Sequence, residues 1–352
     1  MTTDADAVAT MADVPPRRRK LGNTRLEVSE LGLGGAAIGN LYAVADDSSC
    51  RSAVDMAWQR GIRLFDTAPY YGFGLSERRM GDALREQRQD AFVLSTKVGR
   101  LLRPVSGHAG TAERHGFSSP MPFEPHFDYS YAGVMRSYEA SLHRLGLARI
   151  DVLLVHDLGE QTHGPDHAHH LETFLRGGLR ALEELRAAGD IAAFGLGVNE
   201  WQICEQVMDH VRLDCVLLAG RYTLLEQEAL TSFLPRCSAD GTSVVVGGAY
   251  NSGILATGTR SGAPLYFDYA TPPQRIIERV QALEAVCDAH RVPLAAAALQ
   301  FPLAHPAVVS VVVGAATAER VGQGVAAYGH PIDPAFWSDL KAAGLLHPAC
   351  PL

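Results

Sequence analysis

No stretch of this chain strings together the roughly 18 apolar residues that a membrane span needs. The short loops that mark phosphoryl and acyl transfer are missing too, with no GxxxxGKS/T and no GxSxG. HExxH is absent, and with it the commonest helical zinc pair. No GxGxxG follows the first strand candidate. Gly34 and Gly35 end that strand without the remaining spacing, which counts against an open dinucleotide-binding sheet. Cationic excess is lacking: the formal net charge is -8, which gives no support for a nucleic-acid or anionic-membrane partner. The six cysteines, at 50, 204, 215, 237, 287 and 350, form no CxxC pair. They fall in apolar or helical runs and read as reduced thiols of a cytoplasmic protein. The opening MTTDADAVATMADVPPRRRK lacks the basic-then-apolar order of an export signal. Residues 1–16 are expected to be a disordered tail, and 17–352 one folded domain.

What is present is alternation. Of 352 residues, 47% are hydrophobic and 20% charged, an ordinary globular balance with length for a large core. Short β-branched runs at 27–35, 62–68, 91–98, 150–157, 191–199, 214–222, 243–250 and 308–316 read as strands. Helix-length amphipathic stretches lie near 48–60, 76–87, 130–146, 170–188, 201–210, 226–237, 274–290 and 317–327. The strand runs are mostly apolar on both faces, as a buried parallel sheet requires. Eight βα units with no second composition type predict an α/β fold, a single-domain (β/α)8 TIM barrel. The doubly wound open sheet is the alternative. Residues 17–21, a Gly22-Asn23 turn and residues 26–29 read as a hairpin closing the barrel floor. Two loops, 99–128 and 251–273, exceed what a barrel needs and leave the carboxyl ends of strands. They are expected to form a substrate wall and a cofactor cover.

Polar residues at the ends of buried strands carry the functional information. Strand two ends at Asp66, with Tyr71 just beyond; strand three ends at Lys97, strand four at His156 and Asp157. A lone buried lysine costs several kcal/mol unless paired, and Asp66 is its natural partner. An ammonium beside a phenol stabilises phenolate and is expected to lower the tyrosine pKa from about 10. Such a tyrosine can exchange a proton with a carbonyl or alcohol, with His156 orienting the same oxygen.

These residues match a family. DTAPYYG, the following SERRMGDAL, STK and the apolar run ending in His156 resemble the aldo-keto reductase signatures, over about residues 19–327. The resemblance implies that Tyr71 is the general acid/base, that Lys97 and Asp66 tune it, and that His156 orients the substrate. It implies hydride transfer between a nicotinamide and a carbonyl carbon without metal. FDYSYAGVMRSYEASLHRLGLARIDVLLVHD, AGRYTLLEQ, VVVGGAYNSGIL and PLAAAALQFPLAHP resemble the sugar-oxidising branch. That branch contains aldose 1-dehydrogenases for L-fucose and D-threo-aldoses, plant L-galactose dehydrogenase and a pyridoxal 4-dehydrogenase, and mostly turns cyclic hemiacetals into lactones.

Cofactor contacts follow from the same resemblance. Gly34 and Gly35 lie under the nicotinamide ribose, and Asn199 holds the carboxamide. Asn251, Ser252, Gly253, Ile254 and Leu255 cover the pyrophosphate. Gly314, Ala315, Arg320 and Gln323 take the adenosine-phosphate end, where a helix N-terminus suits an anion. Two positions depart from the family: Ala219 replaces a strand-six glutamine and Gly247 the aromatic that stacks on the nicotinamide, with Tyr250 or Arg221 as compensation. NADP-using relatives carry a Lys-Ser pair where Gly314 and Ala315 stand, so NAD is expected to be preferred and NADP tolerated, through Arg320. Asp157, Tyr129 and Arg221 join Tyr71 and His156 as candidate substrate contacts. Asp128 reads as a helix cap; Tyr129 reads as a cap or a substrate contact. The histidines at 163, 167, 169 and 170 read as a solvated loop, and Met56 and Trp58 as packing. The expected partner is a small hydroxylated substrate, with the chain a monomer or small homo-oligomer. Competing readings are an NADPH-dependent carbonyl reductase, a nicotinamide-binding regulatory subunit, and a cofactor-free barrel lyase or hydrolase.

Overall fold

The computed structural model describes residues 15–106, 113–262 and 264–352. Eight parallel strands close into a barrel: β3 (Leu31–Gly34), β4 (Leu64–Asp66), β5 (Val93–Val98), β8 (Val152–His156), β9 (Ala193–Val198), β10 (Cys215–Ala219), β11 (Ser243–Gly247) and β12 (Val308–Gly314), the last pairing with β3. Helices follow the strands in turn: α1 (Asp47–Gln59), α2 (Leu75–Leu84), α3 (Tyr131–Leu145), α4 (Leu179–Ala188), α5 (Gln202–Met208), α6 (Phe233–Asp240), α7 (Gln274–His290), α8 (Leu294–Gln300), α9 (Ala318–Gly329) and α10 (Pro334–Ala342). The TIM barrel expected from the alternation is the observed fold.

Two apolar layers result from strand geometry, because successive side chains point to opposite faces. Leu64, Val93, Val152, Leu154, Cys215, Leu217, Val245 and Val309 fill the barrel interior. Phe65, Leu94, Leu153, Phe194, Val216, Val246 and Val311 face the helices. The predicted hairpin is present as β1 (Arg18–Lys20) paired antiparallel with β2 (Glu27–Ser29). Its Leu21 and Val28 join the interior cluster, so it does plug the floor.

Several boundaries differ from the sequence reading. The expected strand at 27–35 is broken at Glu30, whose buried carboxylate takes Arg17, Arg19 and the Tyr328 hydroxyl. Residues 27–29 serve the hairpin, and the barrel strand starts at Leu31. The helix expected at 226–237 is a short 3-10 turn, Glu228–Leu230, followed by α6. Helical structure around 160–188 begins earlier than expected and contains a π turn, Phe174–Gly178. The C-terminal α10 had no counterpart in the pattern; it starts on a Pro334 after the Asp333 cap and buries Phe336, Trp337 and Leu340. Met56 and Trp58 pack against the core as expected. The expected tail falls mainly outside the described residues, and its end, Pro16, is buried. All six cysteines are buried and free.

Of the long segment after β5, residues 107–112 lie outside the described residues. β6 (Arg100–Pro104) and β7 (Phe123–Phe127) form an antiparallel hairpin at the carboxyl end of the barrel. No helix among the described residues is long and apolar enough to cross a membrane.

Candidate active site

The period-two geometry that fills the barrel also aims its polar groups. On β4, Leu64 faces inward, Phe65 outward and Asp66 inward. The same parity on β5 turns Val93, Ser95 and Lys97 inward, and on β8 it turns Val152, Leu154 and His156 inward. Each strand therefore swaps its interior apolar series for a polar residue near its carboxyl end.

Lys97 is 1% exposed and Asp66 3%. The Lys97 Nζ donates to Asp66 Oδ2 at 2.7 Å and to the Thr67 carbonyl at 2.9 Å. Asp66 Oδ1 accepts from Ser95 Oγ at 2.7 Å. The ammonium lies 4.7 Å from the centre of the Tyr71 ring. The lysine stem has room because β9 carries Gly197, where a Cβ would lie 3.1 Å from Lys97 Cε. The His156 ring sits edge-on to Tyr71, with centres 5.9 Å apart. Asp66, Tyr71, Lys97 and His156 thus converge on one rim, as the strand ends suggested.

Burial sets the protonation of this group. It opposes charge on Lys97, but Asp66 and Tyr71 outweigh it and hold the ammonium above its ordinary 10.5. On Tyr71, burial is the largest influence and raises the phenol above 10; Lys97 pulls it down and Asp66 offsets that pull. The expected net depression by Lys97 is therefore not found, because burial of the phenol outweighs the lysine, whose pull Asp66 partly offsets. His156 is pushed well below 6.5 by burial, then by Arg100 and Lys97, so its imidazole is neutral. Its Nδ1 has no hydrogen-bond partner among the described residues.

A second buried ion pair borders the site and went unnoticed in the sequence. Arg100, the first residue of β6, pairs with Asp157, whose backbone is left-handed at φ 49°. The guanidinium stacks 3.9 Å over Tyr70 and 4.7 Å over Phe127. Phe117 closes this wall edge-on to Tyr70, with centres 5.3 Å apart. The only sequence signal was an arginine directly after a strand ending in Lys-Val-Gly. Tyr269, from the loop after β11, lies within the electrostatic reach of Tyr71 and Asp157.

Other candidates take different roles. Tyr129 is 1% exposed, and its hydroxyl donates to the carbonyls of His156 and Asp157 at 2.8 and 3.1 Å. It braces the end of β8 from behind and does not face the pocket. Ser130, not Asp128, caps α3; Asp128 in turn accepts from Ser130 and Arg136. Arg221 is held by Asp268 at 3.0 Å, tying the loop after β11 to the end of β10. The histidine-rich segment is helical where a loop was expected: His163 and His170 lie 4.1 Å apart between ring centres, and His163 Nε2 meets the Tyr129 hydroxyl.

The remaining arc of the rim is suited to a dinucleotide. Its inward-facing ends are small: Ala219 beside Gly247, and Gly314 beside Gly34. A Cβ on Gly314 would meet nothing within 4 Å, whereas one on Gly247 would lie 3.2 Å from Leu217 Cδ2, so the open part of this arc is at Gly314. Asn199 stands half-buried just past β9. Asn251, Ser252 and Gly253 run through successive positive φ values of 43°, 58° and 101°, strain of the kind that collects at ligand loops. The Asn251 Oδ1 is buried without a hydrogen-bond partner among the described residues. Beyond Gly314 and Ala315, Thr317 caps α9, exposing Arg320 and Gln323 at a helix N-terminus fit for phosphate. Three of the expected contacts also have packing reasons. Ile254 and Leu255 are core residues, and a Cβ on Gly35 would lie 2.4 Å from Ser76 Oγ.

The chain resembles known proteins along most of its length. A model of the Aldo/keto reductase family matches residues 30–344. A pyridoxal 4-dehydrogenase from Microbacterium luteolum is 45% identical, over 94% of this chain and 98% of the relative. A D-threo-aldose 1-dehydrogenase from Pseudomonas sp is 38% identical, over 91% and 95%. Among solved structures, the holo form of an aldo-keto reductase from Bacillus halodurans superposes with a TM-score of 0.70 at 25% identity, over 94% of this chain and 97% of the other.

The ion pair makes a stability prediction. Lys97→Met strands the Asp66 carboxylate and is expected to cost about 3–5 kcal/mol in urea unfolding, while adding Asp66→Asn restores part of the loss. Equal stability of the single and double variants would contradict the pairing.

Proposed function

Because the chain belongs to the aldo/keto reductase family, whose members use nicotinamide cofactors, we propose that it is a dehydrogenase that oxidises the C1 hemiacetal of an aldose to a lactone. The observation that carries the reading is the juxtaposition of two walls. One holds Tyr71, Lys97, Asp66 and neutral His156. The other holds the buried Arg100–Asp157 pair among Tyr70, Phe117 and Phe127. Aromatic faces take the apolar face of a ring, and a carboxylate beside a guanidinium takes ring hydroxyls.

The chemistry follows from the protonation states. The bound oxidised nicotinamide supplies the hydride acceptor. Tyr71 as phenolate accepts the proton of the anomeric hydroxyl, and the C–O bond becomes the lactone carbonyl as the C1 hydrogen leaves with its electron pair. Lys97, whose ammonium lies 4.7 Å from the Tyr71 ring centre, stabilises the phenolate. The neutral imidazole of His156 offers a hydrogen bond to the same oxygen without competing for its proton.

A second substrate is favoured by the 45% identity to a pyridoxal 4-dehydrogenase and by the aromatic wall. Pyridoxal closes on its own hydroxymethyl group to a cyclic hemiacetal, so the same proton and hydride positions apply. A panel of aldoses and pyridoxal, with NAD and followed at the nicotinamide absorbance, is expected to give lactone from at least one of them. Turnover confined to the reduction of simple aldehydes would overturn the proposal.

Oxidation is expected to accelerate as pH rises from about 7 to 10, since burial holds the Tyr71 pKa above 10 and the phenolate fraction grows throughout that range. Tyr71→Phe is expected to lower kcat about 100-fold or more while nicotinamide binding, read by fluorescence quenching, persists. A loss under about tenfold, worth ~1.4 kcal/mol, would assign the proton to another group.

NAD is the proposed cofactor, with NADP tolerated. Glu319 sits in the first turn of α9, and Gln323 bridges it to Arg320, with bonds of 3.2 Å to each. This acid is a feature the sequence reading passed over. Its charge stands close to Arg320, the cation expected to meet a 2′-phosphate, and repels that dianion. Measured kcat/KM is expected to favour NAD, and Glu319→Gln to narrow the ratio by raising the NADP value. A preference for NADP of tenfold or more in the unmodified enzyme would refute this assignment.

A further inference from the structure

Outside the barrel, between the β6–β7 hairpin and α3, lies a cavity of about 280 Å³. Its wall carries Arg100, Arg103 and His126 from the hairpin and Arg136, Ser137 and Arg144 from α3. Four guanidiniums thus border one small space in a chain of net charge -8. Among the described residues, no carboxylate lines it. The partners of these cations lie elsewhere: Asp157 for Arg100, Asp128 for Arg136, and buried Glu77 for Arg144. Arg103 has no ion-pair partner among the described residues.

The cavity also holds donors with nothing to bond. Ser137 is 1% exposed, yet its hydroxyl has no hydrogen-bond partner among the described residues. A buried serine in mid-helix ordinarily bonds back to the carbonyl of the preceding turn, and this one does not. His126 Nδ1 and Arg100 Nε are likewise buried and unpartnered. Burial first, then Arg103, keeps the His126 imidazole below its ordinary 6.5 against the opposing pull of Asp128, so it is a neutral hydrogen-bonding group at neutral pH. Leaving polar groups buried and unpaired is costly, and converging like charges adds to the cost. A small oxyanion would relieve both at once.

We propose that this cavity binds a small oxyanion of the phosphate or carboxylate class, and that Arg100 connects it to the catalytic pocket. Arg100 borders both compartments. It lines the cavity, and it also stacks on Tyr70 and pairs with Asp157 next to His156. An anion in the cavity gives Arg100 a second negative partner, loosens its hold on Asp157 and alters substrate binding more than the chemical step. This second clause rests on Asp157 being part of the substrate wall; the binding itself does not.

The test is calorimetric titration of inorganic phosphate into the full-length enzyme saturated with NAD, which keeps phosphate out of the dinucleotide site. Saturable binding is expected below about 10 mM. Arg103→Gln is expected to weaken it about tenfold, worth about 1.4 kcal/mol, and Ser137→Ala to weaken it severalfold. Because Ser137→Ala removes an unpartnered hydroxyl, its melting temperature without phosphate is expected to equal or exceed that of the unmodified protein. A sugar acid titrated in parallel distinguishes the sources: competition with phosphate would mark the oxidised product as a ligand, and phosphate binding alone a phosphate site. Binding of neither anion, or affinities unchanged in both variants, would overturn the site. Substrate KM is expected to shift with phosphate while kcat moves less, an effect abolished by Arg103→Gln. Phosphate binding with an unmoved KM would overturn the connection through Arg100 and leave the site standing.

Discussion

An ammonium and a carboxylate 2.7 Å apart, both almost wholly out of water, constrain the mouth of this barrel more than any other contact. Neither charge is tolerable there alone. The pair therefore demands that β4 and β5 be neighbours, that both side chains take the inward parity, and that nothing bulky stand opposite. Register puts Asp66 beside Ser95, which holds the other carboxylate oxygen. The Thr67 carbonyl takes a second proton of the ammonium. Gly197 on β9 leaves the lysine stem room to cross. Three strands and a turn are thus held to one geometry by one pair of charges.

The same burial acts in opposite senses on the two groups closest to the chemistry. A phenol loses a proton to become charged, so burial raises its pKa; an imidazole gains one, so burial lowers it. Tyr71 and His156 rest neutral for this one reason. Lys97 is the exception because its charge is compensated by Asp66. The pocket is therefore polar and nearly without net charge, a setting in which a proton on a substrate oxygen has a single destination.

Around this centre the rim divides. The arc from β4 to β8 carries the charged and titrating residues, and the arc from β10 through β12 to β3 ends in Ala219, Gly247, Gly314 and Gly34. The insertion after β5 completes the first arc with Arg100 and the aromatic wall, and its outer face forms the basic cavity with α3. Glu77 of α2 ties this outer layer inward, taking Arg144 of α3 on one oxygen and Thr96 of β5 on the other. One insertion thus shapes the space on both of its sides.

The sequence by itself determined the barrel, the plugging hairpin, and the identity of Asp66, Tyr71, Lys97 and His156. Strand period is local, and a polar residue ending an apolar run is visible without knowing its neighbours. Tertiary structure decided what depends on distance across the fold. The break at Glu30 was invisible because the residues that capture its carboxylate include Tyr328, nearly three hundred positions away. Tyr129 looked able to reach a substrate until the end of β8 claimed its hydroxyl. Arg100 gave almost no signal, since its partner Asp157 follows a different strand. The direction of the Tyr71 shift turned first on how completely the phenol is buried, and then on the opposed pulls of Lys97 and Asp66. Periodicity is written along the chain, whereas desolvation and charge compensation exist only once separate strands have come together.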